Sequence, residues 1–316
     1  METIRANFLG KFYMEDNSAV PINIQGRKVQ ELLCYLLVFR KRLHPRETLA
    51  VALWEDNSSE QSKCYLRRTL WQLQQTIDAK VERDCPLLMV EPDWIQVNPQ
   101  APLWLDVDVL ESAYRQVKGV PGEELDQCSA QMLHEAAGLY CGPLLEGWYQ
   151  TWCICERERL QHVYLIMLDK LMRYCEVQGD FEAGIAYGRQ ILRCDRAREY
   201  THRQLMRLLY LARDRSGALR QYERCLNALR EELDVDPTQR TQQLYREIRQ
   251  DALSLSLPLH WDRAYPAQAE PAQLQQLMAE LEKVQRDLIH LNQSLMHASE
   301  LFDGFFAPEN NTKIAR

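Results

Sequence analysis

Residues 62–77 read SKCYLRRTLWQLQQTI, and this stretch decides the interpretation of the N-terminal region. Its apolar residues are separated by three or four positions, which is the spacing of one face of an α-helix. They are Leu66, Leu70, Leu73 and Ile77. The stretch therefore predicts an amphipathic helix that begins near Gln61 and packs one side against a small core.

The opposite side of this helix carries residue types that contact nucleic acid. At about 100° per residue, Arg68 and Gln75 point directly away from the apolar stripe. Arginine pairs bidentately with guanine and glutamine with adenine, whereas lysine and tyrosine commonly hold phosphates. The alternative is a solvated face of an ordinary surface helix, since a few cations on one helix are common. The candidate DNA-binding residues of the helix are Lys63, Tyr65, Arg67, Arg68, Trp71, Gln72 and Gln75.

The segments around the basic helix predict a winged helix-turn-helix domain over residues 1–100. Strands, three helices and a closing hairpin in this order are typical of winged helices, in which the hairpin is the wing. Trp94, on the predicted wing, either inserts toward the minor groove or packs on its own sheet. The other predicted elements are strands at 8–14 and 20–24 joined by a turn at 16–18, helices at 26–39 and 46–53, and a hairpin at 87–97.

Charge is distributed unevenly along the 316-residue chain. The net charge is −7, but residues 1–80 carry +3 and residues 81–316 carry −10. A mildly basic head on an acidic body allows the head to approach phosphate while the body is repelled by it. The length and the hydrophobic content of 46% predict two or three domains, each with its own core.

The sequence predicts neither secretion nor insertion into a membrane. The longest apolar run, 32–39, is far shorter than the roughly 20 residues that cross a bilayer, so we expect a cytoplasmic, nucleoid-associated protein. The 10 cysteines show no framework spacing and predict mostly buried thiols. Cys153 and Cys155 are close in sequence, but no second pair lies near them, so no metal site is predicted.

An internal repeat marks the second region of the chain. Residues near 171–192 recur 34 positions later, and this period is typical of the tetratricopeptide repeat (TPR), a pair of antiparallel helices. Helices near 134–140, 156–178 and 238–252 extend the array, which predicts a TPR-like α-helical domain over 101–253. A generic helical bundle is the alternative. The matching pairs are Leu171/Leu205, Met172/Met206, Arg173/Arg207, Asp180/Asp214, 183–185/217–219 and Leu192/Leu226.

The C-terminal region predicts a proline-containing linker over 254–273, a coiled-coil helix over 274–303 and a flexible tail over 304–316. Apolar residues at alternating steps of three and four form the seam of a coiled coil. We expect a homo-oligomer, most simply a dimer; the alternative is one amphipathic helix folded back onto the repeats. The candidate oligomerisation residues are Leu274, Leu277, Leu281, Val284, Leu288, Leu291 and Leu295.

Several of these stretches resemble the Streptomyces antibiotic regulatory protein family, in which a response-regulator-type winged helix precedes a bacterial transcriptional activator domain. The resemblance implies a fold that is mostly α with a small β part. It rests on GRKVQELLCYLL at 26–37, LWEDN at 53–57, YLRRTLWQL at 65–73, WLDVDVLE at 104–111, GPLLEGWYQTWCICERERL at 142–160, GDFEAGIAYGRQIL at 179–192 and ALRQYERCLNALREELDVDPT at 218–238.

The family implies a sequence-specific regulator, usually an activator, that binds double-stranded DNA and recruits RNA polymerase holoenzyme to a promoter. By this resemblance, 61–77 is the recognition helix and 87–97 the wing. Two departures are relevant. The family often has Asn where Tyr65 stands and a basic pair where Gln74 and Gln75 stand, so base preference and phosphate affinity are expected to differ.

An enzyme is not predicted, because the sequence contains no P-loop, GxGxxG, HExxH or GxSxG motif. We expect no catalytic residue, cofactor or membrane partner, and we expect His134, His162 and His202 to serve packing or the surface rather than ligand binding. The competing interpretation is a TPR-type adaptor or ligand sensor whose winged helix does not bind DNA. A small anionic or nucleotide effector is a further hypothesis, which rests on Arg189, Arg193, Arg196, Arg198 and Arg203.

Overall fold

The computed structural model describes residues 4–54, 57–78 and 85–252. These residues belong to one compact unit, which is mostly helical and contains two small sheets. The predicted linker, the heptad seam from Leu274 to Leu295 and the tail lie outside the described residues. The oligomerisation residues therefore stay a prediction.

The elements follow the predicted order of strands, three helices and a hairpin, and a longer helical region comes after them. The strands are β1 (Ile4–Asn7), β2 (Tyr13–Glu15), β3 (His44–Pro45), β4 (Leu88–Val90), β5 (Trp94–Val97) and β6 (Leu103–Leu105). The helices are α1 (Arg27–Val38), α2 (Arg46–Leu53), α3 (Ser59–Asp78), α4 (Asp106–Gln116), α5 (Gln127–Gly138), α6 (Thr151–Gln178), α7 (Phe181–Cys194), α8 (Glu199–Leu211), α9 (Arg215–Leu233) and α10 (Gln239–Arg249). A short 3-10 helix spans Gly122–Glu124.

The first hairpin differs from the prediction. β1 pairs antiparallel with β2, whereas the predicted strand at 20–24 forms only an isolated bridge at Pro21, which has no N–H to donate to a ladder. Gly10, with φ of 123°, interrupts the predicted strand at 8–14. The turn after β2 is present where it was predicted, and Asp16 Oδ1 accepts two backbone N–H groups at 3.0 Å within it.

The apolar stripe of α3 lies in the core, as its spacing predicts. Its side chains are at most 3% exposed and join a cluster with α1, α2 and the second sheet. That sheet has the order β3-β5-β4, and all of its pairs are antiparallel. The two-residue β3, which the sequence did not predict, joins the predicted β4–β5 hairpin to the entrance of α2.

A third strand of the first sheet comes from beyond the predicted domain boundary. β6 pairs in parallel with β1, so Leu105 lies opposite Ala6. Asp106 follows directly as the first residue of α4, and its Oδ2 accepts the N–H groups of Phe8 at 2.7 Å and Leu9 at 2.8 Å. The predicted division between residues 100 and 101 thus falls between β5 and a strand that completes the N-terminal sheet.

The end of α1 is bound to the helical region by charged side chains. Arg40 pairs with Asp108 and also approaches Glu111, both on α4. Arg159 on α6 contacts Glu111 from the other side at 2.5 Å. Burial of Glu111 opposes its ionisation, but Arg159, Lys41 and Arg40 together lower its pKa below the ordinary value. This cluster makes the N-terminal region and the first helices of the second region one packed body.

The predicted repeat is present as two helix pairs, α6–α7 and α8–α9. Asp180 and Asp214, which are 34 residues apart, both cap the second helix of their pair by accepting an N–H three residues on, at 3.2 and 2.7 Å. Gly184 and Ala218 occupy equivalent buried positions on those helices. The packing at Gly184 is close, since a Cβ there would lie 3.2 Å from Leu208 Cδ1.

Candidate nucleic-acid interface

Helix α3 is held by its buried side and by its first turn. Leu73 at its centre is fully buried. Near the start, Ser62 is buried and its Oγ donates a hydrogen bond to the carbonyl of Trp54 at 3.2 Å. The helix is thereby fixed in rotation about its own axis, so the side opposite Leu73 faces solvent.

Four neighbouring side chains form the centre of that exposed side, and we call them the α3 face. Arg68, Trp71, Gln72 and Gln75 are related by steps of three and four, which places them next to one another on a helix surface. All four are exposed, and Trp71 is 62% exposed. Within residues 4–54, 57–78 and 85–252, no hydrogen bond or ion pair engages their side chains.

The charge of α3 favours an anionic partner. Between residues 61 and 77 there are three cations and neither Asp nor Glu. Arg67 and Arg68 are exposed, whereas Lys63 Nζ lies 2.8 Å from Glu47 Oε1 on α2. That hydrogen bond raises the pKa of Lys63. Two of the three predicted cations are thus turned to solvent and the third is paired with α2.

The remaining predicted DNA-binding residues lie at the margins. Tyr65 is 43% exposed and its ring lies 6.4 Å from that of Trp54. Trp94 is half-buried in the β3–β5 ladder opposite Pro45. The structure therefore places Trp94 on its own sheet rather than on the α3 face.

Two exposed residues that were not named from the sequence lie on the same side of α3. Gln61 and Cys64 are exposed, and Cys64 precedes Arg68 by one helical turn. The 100° spacing that selected Arg68 also places them there. Cys64 is neither charged nor large and polar, and Gln61 stands at the predicted start of the helix, whereas α3 begins at Ser59.

The other residues named from the sequence form no comparable exposed set within the described part of the chain. Cys153 is buried whereas Cys155 is exposed, and the described part of the chain holds no group of three or more potential metal ligands. From the arginine set, Arg196 pairs with Glu231 at 3.0 Å and Arg203 donates to Thr241 Oγ1 at 3.2 Å. None of the described helices combines the length and the apolar character needed to cross a membrane.

Of the three histidines named from the sequence, His202 is buried, whereas His134 and His162 are exposed. His134 Nδ1 lies 2.8 Å from the Tyr187 hydroxyl. His202 is buried, with Nε2 2.9 Å from the carbonyl of Arg196 and Nδ1 2.8 Å from the Gln221 amide. His162 is exposed on α6.

Comparison with protein families identifies the helical region. Residues 105–249 match the family model of the bacterial transcriptional activator domain, so the chain carries this domain after its N-terminal strands, helices and hairpin. The match begins inside β6, at the strand that pairs with β1. The chain therefore joins a small N-terminal α/β head to a bacterial transcriptional activator domain.

A solved structure has a similar fold. It is Mycobacterium tuberculosis EmbR in complex with a low-affinity phosphopeptide, which aligns with a TM-score of 0.65 and 18% sequence identity. The alignment covers 79% of this chain and 66% of the EmbR chain. At that identity the likeness shows the fold alone. A search of curated proteins found no match.

Proposed function

We propose that the chain is a sequence-specific, DNA-binding transcriptional regulator and that it acts as an activator. The observation that carries the proposal is the α3 face, an exposed set of Arg, Trp and Gln side chains on a helix segment without acidic residues. The order of strands, helices and closing hairpin supports a winged helix-turn-helix, with α3 as recognition helix and β4–β5 as wing.

The dimensions of α3 suit the major groove of B-DNA. A helix with side chains is about 10–12 Å across, and the groove is about 12 Å wide. With α3 inserted, the α3 face meets base edges, while Arg67 and Tyr65 at its flanks reach phosphates. Lys63 also binds a phosphate once its ion pair with Glu47 is broken. Trp94 stabilises the wing by packing within its sheet.

Activation is proposed to depend on the helical region. The match of residues 105–249 to the bacterial transcriptional activator domain supports a role in holding RNA polymerase holoenzyme at a promoter. The ion pairs of Arg40 with α4 fix the position of this region relative to the head. A dimer formed through 274–303 doubles the recognition helices and suits a repeated operator in the nucleoid.

The first test is selection of bound duplexes from a random pool, followed by anisotropy titration of the selected duplex and a scrambled one at several salt concentrations. The proposal expects an enriched motif that binds at least about 10³-fold tighter than the scramble, with affinity falling as salt rises.

Two matched variants assign the binding to α3. Arg68→Ala is expected to weaken binding of the selected duplex by about 5–150-fold, which corresponds to loss of one bidentate base contact at about 1–3 kcal/mol. Arg220→Ala, which changes another exposed arginine, this one on α9, is expected to leave affinity unchanged. Weak binding without sequence preference, unaffected by Arg68→Ala, would refute the proposal and favour the adaptor interpretation.

A further inference from the structure

We propose that Trp71 and Gln75 of the α3 face read A·T base pairs and that the Trp71 indole packs against thymine methyl groups. The inference rests on the proposed function, because it assigns the base preference of the same helix. It begins from the exposure of Trp71, whose side chain is 62% exposed at the centre of α3.

The exposure of Trp71 differs from that of other tryptophans in the head. Trp54 is 8% exposed, and Trp94 is half-buried in its sheet. A single exposed apolar residue is ordinary on a protein surface, but Trp71 is surrounded on the α3 face by a guanidinium and two amides that have no partner within the described residues. An apolar ring inside a set of unpaired polar groups matches the composition of a surface that reads base edges.

The chemistry of the neighbours selects the base pair. In the major groove only thymine presents a methyl group, and adenine presents an acceptor and a donor that match a glutamine amide. Trp71 and Gln75 are one helical turn apart, about 5–6 Å between Cβ atoms, which corresponds to one or two base-pair steps at about 3.4 Å. One pair of side chains thus reaches the methyl of a thymine and the edge of an adenine in the same or the next base pair.

The charge of α3 argues for a duplex rather than a protein as the occupant of the Trp71 surface. Residues 61–77 contain no acidic residue, and although Lys63 is paired with Glu47, Arg67 and Arg68 are exposed and flank the indole from the preceding turn. A partner that covers Trp71 must also neutralise these cations, which the phosphates bordering the groove do.

The test removes the methyl group from the DNA and the indole from the protein. In the selected duplex, deoxyuridine replaces thymidine, which deletes the 5-methyl and keeps the base pairing. Wild-type protein is expected to lose about fourfold in affinity for each methyl that contacts the indole, the ratio that corresponds to burial of one methyl-sized group. Trp71→Ala is expected to bind the thymine and uracil duplexes equally.

Two further variants separate contact from fold. Trp71→Phe retains an apolar ring and is therefore expected to lose some affinity when uracil replaces thymine, although less than the wild type loses. Tyr149→Ala, which removes a 77% exposed ring from the helical region, is expected to show the full wild-type loss of affinity for the uracil duplex. Circular dichroism of Trp71→Ala checks that the variant is folded, which is expected because the side chain lies outside the core.

The outcomes distinguish the two proposals. Specific binding by the wild type without a uracil penalty, or a penalty that persists in Trp71→Ala, overturns the assignment of Trp71 and leaves the regulator proposal standing. If Trp71→Ala loses a protein partner but retains its DNA affinity and uracil penalty, a protein occupies the surface and the assignment is likewise overturned. Absence of specific DNA binding in the wild type overturns both.

Discussion

Replacement of Asp106 by alanine tests whether the two regions of the chain are one folding unit. Asp106 is 2% exposed, and its Oδ2 accepts the buried N–H groups of Phe8 and Leu9. Its Oδ1 also accepts the N–H of Val107 at 2.7 Å. One carboxylate therefore joins the end of β1 to the first turn of α4.

The expected cost follows from these bonds. In Asp106→Ala the N–H groups of Phe8 and Leu9 have no acceptor and stay buried. Each unsatisfied buried donor costs about 1–3 kcal/mol, so the free energy of unfolding should fall by about 2–6 kcal/mol. Burial raises the pKa of Asp106 even though these N–H groups favour the carboxylate, so a neutral isostere is less damaging than alanine. Asp106→Asn retains one oxygen for both donors and should cost less than half as much.

Urea unfolding of the full chain measures both variants, and the fluorescence of its seven tryptophans, which lie both in the head and beyond it, should follow the same transition as far-ultraviolet circular dichroism. Asp108→Ala is the matched control, because this residue lies two positions away on α4 and its side chain is 37% exposed in an ion pair with Arg40. Arg40 is 10% exposed, but without Asp108 it keeps its hydrogen bonds to the carbonyls of Leu37 and Val38 and lies 3.9 Å from Glu111, so Asp108→Ala should cost less than Asp106→Ala. If Asp106→Ala and Asp108→Ala lose equal stability, or if only the fluorescence transition shifts, the reasoning fails.

Three further predictions concern the helical region. Gly188→Ala should lower the free energy of unfolding in urea by about 1–3 kcal/mol, because the new Cβ would lie 2.6 Å from Leu205 Cδ2. The control Gly138→Ala, whose Cβ would meet nothing within 4 Å, should raise that free energy by up to about 1 kcal/mol. Equal effects of the two substitutions would contradict this prediction. Because the pKa of Glu111 is lowered in the folded protein, the ionised carboxylate stabilises the fold fully above the ordinary pKa of 4.5, and this contribution is lost as pH falls through the folded-state pKa. In Glu111→Gln, the melting temperature should therefore decrease less between neutral and acidic pH than in the wild type. Burial lowers the pKa of His202, so the neutral ring is favoured and the free energy of unfolding should fall as pH drops below 6.5. The fall should be less steep in His202→Gln. If the variant and the wild type lose stability equally with pH, His202 is not the cause.

The features predicted well from the sequence are those set by local periodicity. The stripe from Leu66 to Ile77 is buried as predicted, because a helix with one apolar face has one orientation that removes that face from water. The repeat was also visible, since Asp180 and Asp214 cap helices at the same phase of a 34-residue period. The helical periodicity that predicts the buried stripe also predicts which residues lie on the exposed side of α3.

Features that depend on distant parts of the chain were not predicted. β1 and β6 are separated by the whole head, and three residues of β6 carry too little pattern to reveal a parallel partner. The first hairpin was misplaced because partial alternation at 8–14 hid the break at Gly10. Likewise, the pairing of Lys63 with Glu47 requires the packing of α3 on α2, which no spacing within α3 encodes.

The parallel pairing of β1 with β6 limits how this chain can be recombined with others. A chimaera that exchanges the head at residue 100 leaves β6 and Asp106 with the recipient, so a foreign β1 must then pair with a strand that it did not evolve beside. A crossover after residue 111 transfers β6, Asp106 and the α4 carboxylates that contact Arg40. Gene fusions between heads and activator domains are therefore expected to be functional when their breakpoints lie inside α4, although a domain map drawn from sequence alone would place them in the preceding loop.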